Sequence, residues 1–406
     1  MDFSDTPEQA AFRSEARAWI KAHYPRDWRG ENIYSDPEVF LPLAKAWQQK
    51  KVSDGWACIT WPTAVGGRGG SAIESAIFEQ EEDELFALNV PFIIGHGMAG
   101  PTLIACATPE QQQRFLPPMI SGEDIWCQLF SEPAAGSDLA GIRTSAVRDG
   151  DHWVVNGQKI WTTFAHHADW AILVTRSDPG VAKHKGLTYF VLDMKSPGVE
   201  VRPIKQATGE AEFNEVFLTD VRIPDANRIG AVGDGWRVAM ATLMSERVAV
   251  GAGIDSNFTE VYELAANIQL ENGPALEDSG VQQTLADWYV RSTGVKNFGL
   301  RMMSDLSKGK SPGPEASLVK LVLSSGRQNI LSYALDLMEQ GGVLDKRAEG
   351  DDAPDMQQSF FRTIGNRLEG GTDEIMRNII GERVLGLPPD VRVDKSQPFN
   401  QLPVGV

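Results

Sequence analysis

Cysteine is scarce in this chain: Cys58, Cys106 and Cys127 are the only three in 406 residues. So sparse and odd a set excludes a disulfide framework and suits a reducing compartment. No Cys-x-x-Cys pair and no His-Glu-x-x-His run occurs, and the six histidines, His166 and His167 among them, show no ligand spacing. A metal site is therefore not expected. Positive charge is short as well, with 38 Lys and Arg against 55 Asp and Glu and a net charge of -17. That balance argues against nucleic acid, which needs a basic face against its phosphates. A small anionic ligand stays open, because a local field can oppose the global one. Long hydrophobic runs are also missing. No stretch suffices for a membrane span, and Met1-Asp2-Phe3-Ser4-Asp5 lacks the apolar segment of a secretion signal. The expectation is a cytoplasmic protein.

What is present suits a large globular protein of two or three packed domains. Thr6-Pro7-Glu8-Gln9 reads as a helix start with a capping box, followed by Phe12, Ala16, Trp19 and Ile20 on one face. Helical patterns continue to about residue 120. The glycine-rich stretch Gly66-Gly67-Arg68-Gly69-Gly70 lacks the Gly-Lys-Ser/Thr ending of a phosphate loop and reads as structural. From about 121 to 230 the pattern turns to strands, at 171–175, 187–192, 199–204 and 216–223, with Asn156-Gly157 as a hairpin signal. Helical periodicity returns at Gly233-Asp234-Gly235, Asp234 being the expected cap, and runs to about 387. The expected fold is α+β: an N-terminal helical domain (1–120), a middle antiparallel β-barrel domain (121–230), a C-terminal four-helix bundle (231–390) and a polar tail (391–406).

Three segments carry the chemistry. Gln128-Leu129-Phe130-Ser131-Glu132-Pro133-Ala134-Ala135-Gly136-Ser137-Asp138 reads by itself as a strand entering a turn. Lys159-Ile160-Trp161-Thr162-Thr163 reads as the arm of a hairpin bearing a cross-strand aromatic and a β-branched filler. Glu369-Gly370-Gly371-Thr372-Asp373-Glu374 precedes a helix that Thr372 can cap. In this order, between helical flanks, they resemble the acyl-CoA dehydrogenase family, and the resemblance spans nearly the whole chain. It implies FAD as cofactor, an acyl-CoA substrate and an electron-transfer flavoprotein as partner. It places Gln128, Phe130, Ser131, Trp161 and Thr163 against the flavin ring, and Thr372 and Glu374 on its diphosphate-ribose side. Ser137, Arg247 and Gly371 fall on the CoA side, and the Gly370 amide polarises the thioester oxygen.

The family removes the α proton with a carboxylate, whose pKa burial can raise toward that of a working base. Many members carry this Glu where Gly370 stands here. Glu369, one residue early, reads as a loop-end carboxylate. The isovaleryl-CoA and long-chain members place their base in a Leu-x-x-Glu-Arg context on the helix after the β domain. Leu243-Met244-Ser245-Glu246-Arg247 matches it. Ala239, Leu243, Glu246 and Val250 share one helical face. Glu246 is the expected base, with Glu369 as the alternative.

Two motifs that homotetrameric members use toward a neighbour's flavin are absent. Residues 266–275 hold no Arg-x-x-Phe-Gly, and Gln340-Gly341-Gly342 keeps only the glycines of a second motif. The resemblance then implies a tetramer, homomeric or α2β2 with a paralogous subunit, as in members acting on pimeloyl-CoA or sterol side-chain CoA esters. Two other readings stand beside desaturation: a flavin monooxygenase of the same fold, and a non-catalytic subunit.

Overall fold

The computed structural model describes residues 5–30, 36–252, 256–307, 313–344, 355–389, 391, 394 and 396–402, with the backbone alone at 247–252, 303, 306 and 307. The chain forms two compact units. The first holds Met1–Lys205, Ala211–Ala249 and Val391–Val406, and the second Gln206–Glu210 and Val250–Asp390.

In the first unit, helices α1 (Pro7–His23), α2 (Pro37–Ser53), α3 (Ala72–Glu81), α4 (Gly100–Cys106) and α5 (Pro109–Ile120) precede the strands. Thr6 and Gln9 form the expected capping box. Phe12, Ala16 and Ile20 of α1 enter a core with Phe40, Ala44 and Trp47 of α2 and Phe78 of α3. Thr108 with Gln111 caps α5 in the same way. The glycine-rich loop folds back on residues 59–61: Gly69 and Gly70 donate to Trp61 O and Ile59 O, both at 2.8 Å. A Cβ on Gly67 would lie 2.3 Å from Trp61 O, so only glycine fits there. No single described helix is long and apolar enough to cross a membrane. Asp83–Phe92 with Gly95–Cys106 passes by length and composition only as a pair bent by 74°, and its Leu85, Leu88 and Leu103 are fully buried in the core.

Strands β1 (Trp126–Leu129), β2 (Ser145–Asp149), β3 (His152–Thr163), β4 (Trp170–Arg176), β5 (Leu187–Asp193), β6 (Val199–Pro203), β7 (Phe213–Pro224) and β8 (Arg228–Ile229) form one sheet in the order β6-β7-β3-β2-β4-β5-β8, with β1 beside β4. Most pairings are antiparallel, while β1 runs parallel to β4 and β2 meets β4 in parallel at its first residue. Side chains alternate between two cores, as strand geometry requires. Ile172, Val174, Tyr189 and Val191 face one cluster, which holds Val238 and Ala239 of helix α6 (Gly235–Ala252). Ala171, Leu173, Phe190 and Leu192 face the other.

The hairpin expectation at Asn156-Gly157 is corrected. Both lie inside the continuous strand β3, at an irregular register against β7. Gly157 is needed because a Cβ there would lie 2.7 Å from Thr144 Cα. The turn falls instead at Gly150-Asp151, where Asp149 pairs with His152 and Gly150 has φ 63°. Asp234 stands just before α6, where its carbonyl accepts the Arg237 and Val238 N–H groups and its carboxylate pairs with Arg237 at 2.7 Å.

The second unit is a helical bundle of α7 (Phe258–Asn267), α8 (Ser279–Ser307), α9 (Ser317–Leu337), α10 (Met356–Asn366) and α11 (Asp373–Ile379). Its core joins Val261, Leu285, Trp288, Leu323, Leu331 and Met356. A Cβ on Gly326 would meet the Trp288 ring at 2.1 Å, so this glycine sets how closely α8 and α9 approach.

Candidate active site

β1 presents Gln128 on the face that carries Trp126 and Phe130, opposite Cys127 and Leu129. Gln128 Nε2 donates to Glu246 Oε2 at 3.1 Å. Glu246 is half-buried on α6, in the helical row of buried Ala239 and packed Leu243. One turn earlier, the buried Thr242 hydroxyl meets Thr102 Oγ1 at 2.9 Å and Tyr189 OH at 3.0 Å. This polar contact ties α6 to α4 and β5 and fixes the turn from which Glu246 projects. The side chain of Arg247 lies outside the described residues, as does that of Val250.

A buried ion pair holds the strand behind this face. Lys159 Nζ donates to Glu132 Oε1 and to Phe130 O, both at 2.9 Å, and Lys159 is fully buried. Glu132 also accepts the Arg143 N–H at 2.6 Å and the Thr144 N–H at 2.9 Å. Burial works to raise the Glu132 pKa, but Lys159 and the donors at Thr144 and Arg143 outweigh it and hold the carboxyl below its ordinary range. Burial lowers the Lys159 pKa against the pull of Glu132. Ile160 N–H donates to Ser131 O at 3.0 Å. The clamp therefore brings Gln128, Phe130 and half-buried Ser131 alongside Trp161 and Thr163.

Trp161 is 57% exposed with φ 61°, rare backbone for an aromatic residue. It falls where the β3–β7 register breaks, between Lys159 and Thr162, and its ring meets Phe213 edge-on at 6.1 Å. On the same face as the Glu246 contact, Gln128 Oε1 is buried without a partner. Buried orphans are uncommon and call for a ligand or water. An exposed indole at a strand irregularity offers a face on which a planar ring such as isoalloxazine can lie.

Ser137 sits on the exposed turn after β1. Next to it, Asp138 holds Lys183 at 2.9 Å. Lys183 also pairs with Asp394 of the C-terminal tail. That tail is docked: Phe399 N–H donates to Val181 O at 2.9 Å, and the Phe399 ring covers the Arg176 guanidinium at 3.8 Å. Arg176 is buried, which lowers its pKa to about 10.

The remaining candidates belong to the second unit. Arg362 Nη2 donates to both oxygens of Glu369, at 3.0 and 2.8 Å, and Asn366 Nδ2 adds a bond at 2.5 Å. The Glu369 carboxylate is thus engaged. Gly370 and Gly371 have φ 60° and 98°, conformations that favour glycine. Lys320 Nζ donates to Gly371 O. Thr372 Oγ1 accepts from Ile375 N–H at 3.1 Å as the α11 cap. Glu374 is exposed and lies 3.5 Å from Arg377. Buried Asp373 takes Arg367 at 2.7 Å. Residues 269–274 form a short hairpin, with Gly273 opposite Leu270. Among the described residues no three His, Cys, Asp or Glu side chains group as metal ligands.

Sequence reasoning missed Glu132, Lys159 and the Thr102–Thr242–Tyr189 contact. The one available signal was Lys159 at an inward position of an alternating strand.

The helical, sheet and helical regions together are those of a flavin-dependent oxidoreductase. Models of the N-terminal, middle and C-terminal domains of acyl-CoA dehydrogenases match residues 6–123, 127–221 and 233–385. The chain is 36% identical over 386 residues to acyl-CoA dehydrogenase IpdE1 of Mycobacterium tuberculosis, covering 94% of this chain and 98% of that protein. It is 39% identical over 330 residues to acyl-CoA dehydrogenase FadE34 of the same organism, covering 81% of this chain and 44% of that longer protein. Among solved structures, the ChsE4-ChsE5 complex from Mycobacterium tuberculosis has a TM-score of 0.81 at 31% identity, covering 96% of this chain and 100% of that one. The Tcur3481-Tcur3483 steroid ACAD has a TM-score of 0.81 at 26% identity, covering 96% and 100%. The chain belongs to the acyl-CoA dehydrogenase family.

Proposed function

We propose that this chain desaturates a bulky, steroidal acyl-CoA thioester to its trans-2-enoyl-CoA, works beside a paralogous subunit, and hands its electrons to an electron-transfer flavoprotein. The observation that carries the reading is the Gln128–Glu246 hydrogen bond at 3.1 Å. It joins the expected base to the segment expected to line the flavin. The competing carboxylate, Glu369, is engaged by Arg362 and Asn366.

Glu246 takes the α proton of the thioester. The Gly370 amide, on the backbone that Gly370 and Gly371 permit, steadies the charge growing on the thioester oxygen. FAD, when bound, supplies the two-electron oxidant that accepts the β hydride. Gln128, Phe130, Ser131, Trp161 and Thr163 hold its ring, and Thr372 and Glu374 its diphosphate-ribose side. Ser137, Arg247 and Gly371 receive the CoA. The Lys159–Glu132 clamp keeps the ring-side strands in register.

Two observations support the bulky substrate and the heteromer. Gly370 stands where many family members carry a Glu side chain, and one structural relative is described as a steroid ACAD. Residues 266–275 carry no cation, so the diphosphate charge needs one from another chain. The electron acceptor follows from the family resemblance. The test is to express the chain alone and with a paralogous subunit, then add a steroid side-chain CoA thioester without oxygen. The expected result is low flavin content alone, and full content with rapid flavin bleaching in the pair. Full occupancy alone contradicts the heteromer, and no bleaching in the pair contradicts the dehydrogenase.

A further inference from the structure

We propose that Gln128 is the positioning residue of the base, and that its carboxamide serves both protonation states of Glu246. This rests on the reading of Glu246 as the base. The geometry is one bond and one orphan on the same side chain. Nε2 donates to Glu246 Oε2 at 3.1 Å, while Oε1 is buried with no partner. A carboxamide is the neutral group that carries a donor and an acceptor on one planar end. Facing the ionised carboxylate, Nε2 donates and favours the charged form. When the α C–H bond breaks, its electron pair stays on the substrate carbon and the proton goes to Glu246. The acid then has an O–H to donate, and Oε1 accepts it after a half-turn of the amide. Leu and Met offer neither end. Glu offers a second charge.

The strand fixes Gln128 independently of the carboxylate. Its neighbours Cys127 and Leu129 are fully buried in the opposite core, and β1 is paired along its length with β4. The bond therefore acts on Glu246, the end of the pair carried by the later part of α6. Against α6 stand the Tyr189 phenol on β5, the Cys106 thiol on α4, the His184 ring on Trp236, and the Asp234–Arg237 pair at the helix start; burial lowers the His184 pKa. Burial keeps the Tyr189 phenol protonated well past its ordinary range, so the phenol contributes no charge to the pH profile.

The test follows the rate of anaerobic flavin bleaching by a steroid side-chain CoA thioester against pH, in the flavin-loaded assembly. Removing the donor raises the pKa of the base. In Gln128→Met, with rates taken per bound flavin, the acidic limb is expected to move up by about one unit, which is tenfold in rate on that limb. Gln128→Glu, nearly isosteric, moves the limb further by like-charge repulsion and stands in if the Met variant does not fold. Isotope-edited infrared titration of the Glu246 carboxyl reads the same shift without turnover. A limb unmoved in both variants overturns the proposal, as does a plateau lost with no shift of the limb, the signature of a merely structural residue. Glu246→Gln separates the two failures. If it abolishes bleaching while the Gln128 variants leave the limb in place, the positioning role falls and the base assignment stands. If it bleaches normally, the base assignment itself falls.

Discussion

Lys159→Met removes the cation from the clamp behind the candidate flavin face. Lys159 is fully buried, 2.9 Å from Glu132 Oε1 and 2.9 Å from Phe130 O. Met fills similar volume but leaves a buried carboxylate with backbone donors alone. Breaking one partner of such a pair costs about 3–5 kcal/mol, and the stranded Phe130 carbonyl adds about 1 kcal/mol. The expected loss of unfolding free energy is therefore about 4–6 kcal/mol. Its pH dependence should reverse sign. In the native protein the Glu132 carboxyl is held below its ordinary range, so its contribution is present above the ordinary carboxylate pKa and is lost as pH falls through the folded value. Without Lys159, burial raises that pKa, and the variant weakens as pH rises. Glu132→Gln in the same chain should restore at least half of the loss, because no buried charge remains. Urea unfolding of both variants across pH measures this, with flavin content as a second readout. A single-variant loss below about 1 kcal/mol, or a double variant as weak as the single, refutes the clamp.

Phe399→Ala strips the ring from the Arg176 guanidinium and frees the tail. A loss of about 2–4 kcal/mol is expected in urea unfolding, with faster proteolysis after residue 390; an unchanged midpoint contradicts the docked tail. Glu369→Gln weakens the contacts to Arg362 and Asn366, at a cost of about 1 kcal/mol in unfolding, and flavin bleaching should stay within about threefold of wild type. A thousandfold loss of bleaching would move the base to Glu369.

The layered fold was legible where the sequence runs apolar without interruption. Residues 171–175 and 187–192 are buried on both faces, and only a strand between two cores needs such runs. Asn156-Gly157 misled because glycine answers two demands. Local turn chemistry asks for it at positive φ, but Gly157 is there to let Thr144 approach. The Asp149-Gly150 pair carried the same turn signal and was the true one. The site was legible only as far as its motifs. Nothing local in Glu132 or Lys159 announces a partner 27 positions away, since the contact exists only once β3 lies along the segment after β1. The bond from Gln128 to Glu246 likewise spans 118 positions and needs α6 against the sheet. The polar tail gave a single aromatic, Phe399, as its hint of docking.

The central claim is that Glu246 takes the α proton. Glu246→Gln keeps the shape and removes the basicity. In the flavin-loaded assembly, mixed without oxygen with a steroid side-chain CoA thioester, the rate of flavin bleaching should fall by about a thousandfold, roughly 4 kcal/mol of barrier, with flavin content and thioester binding retained. Bleaching within about threefold of wild type would contradict the account.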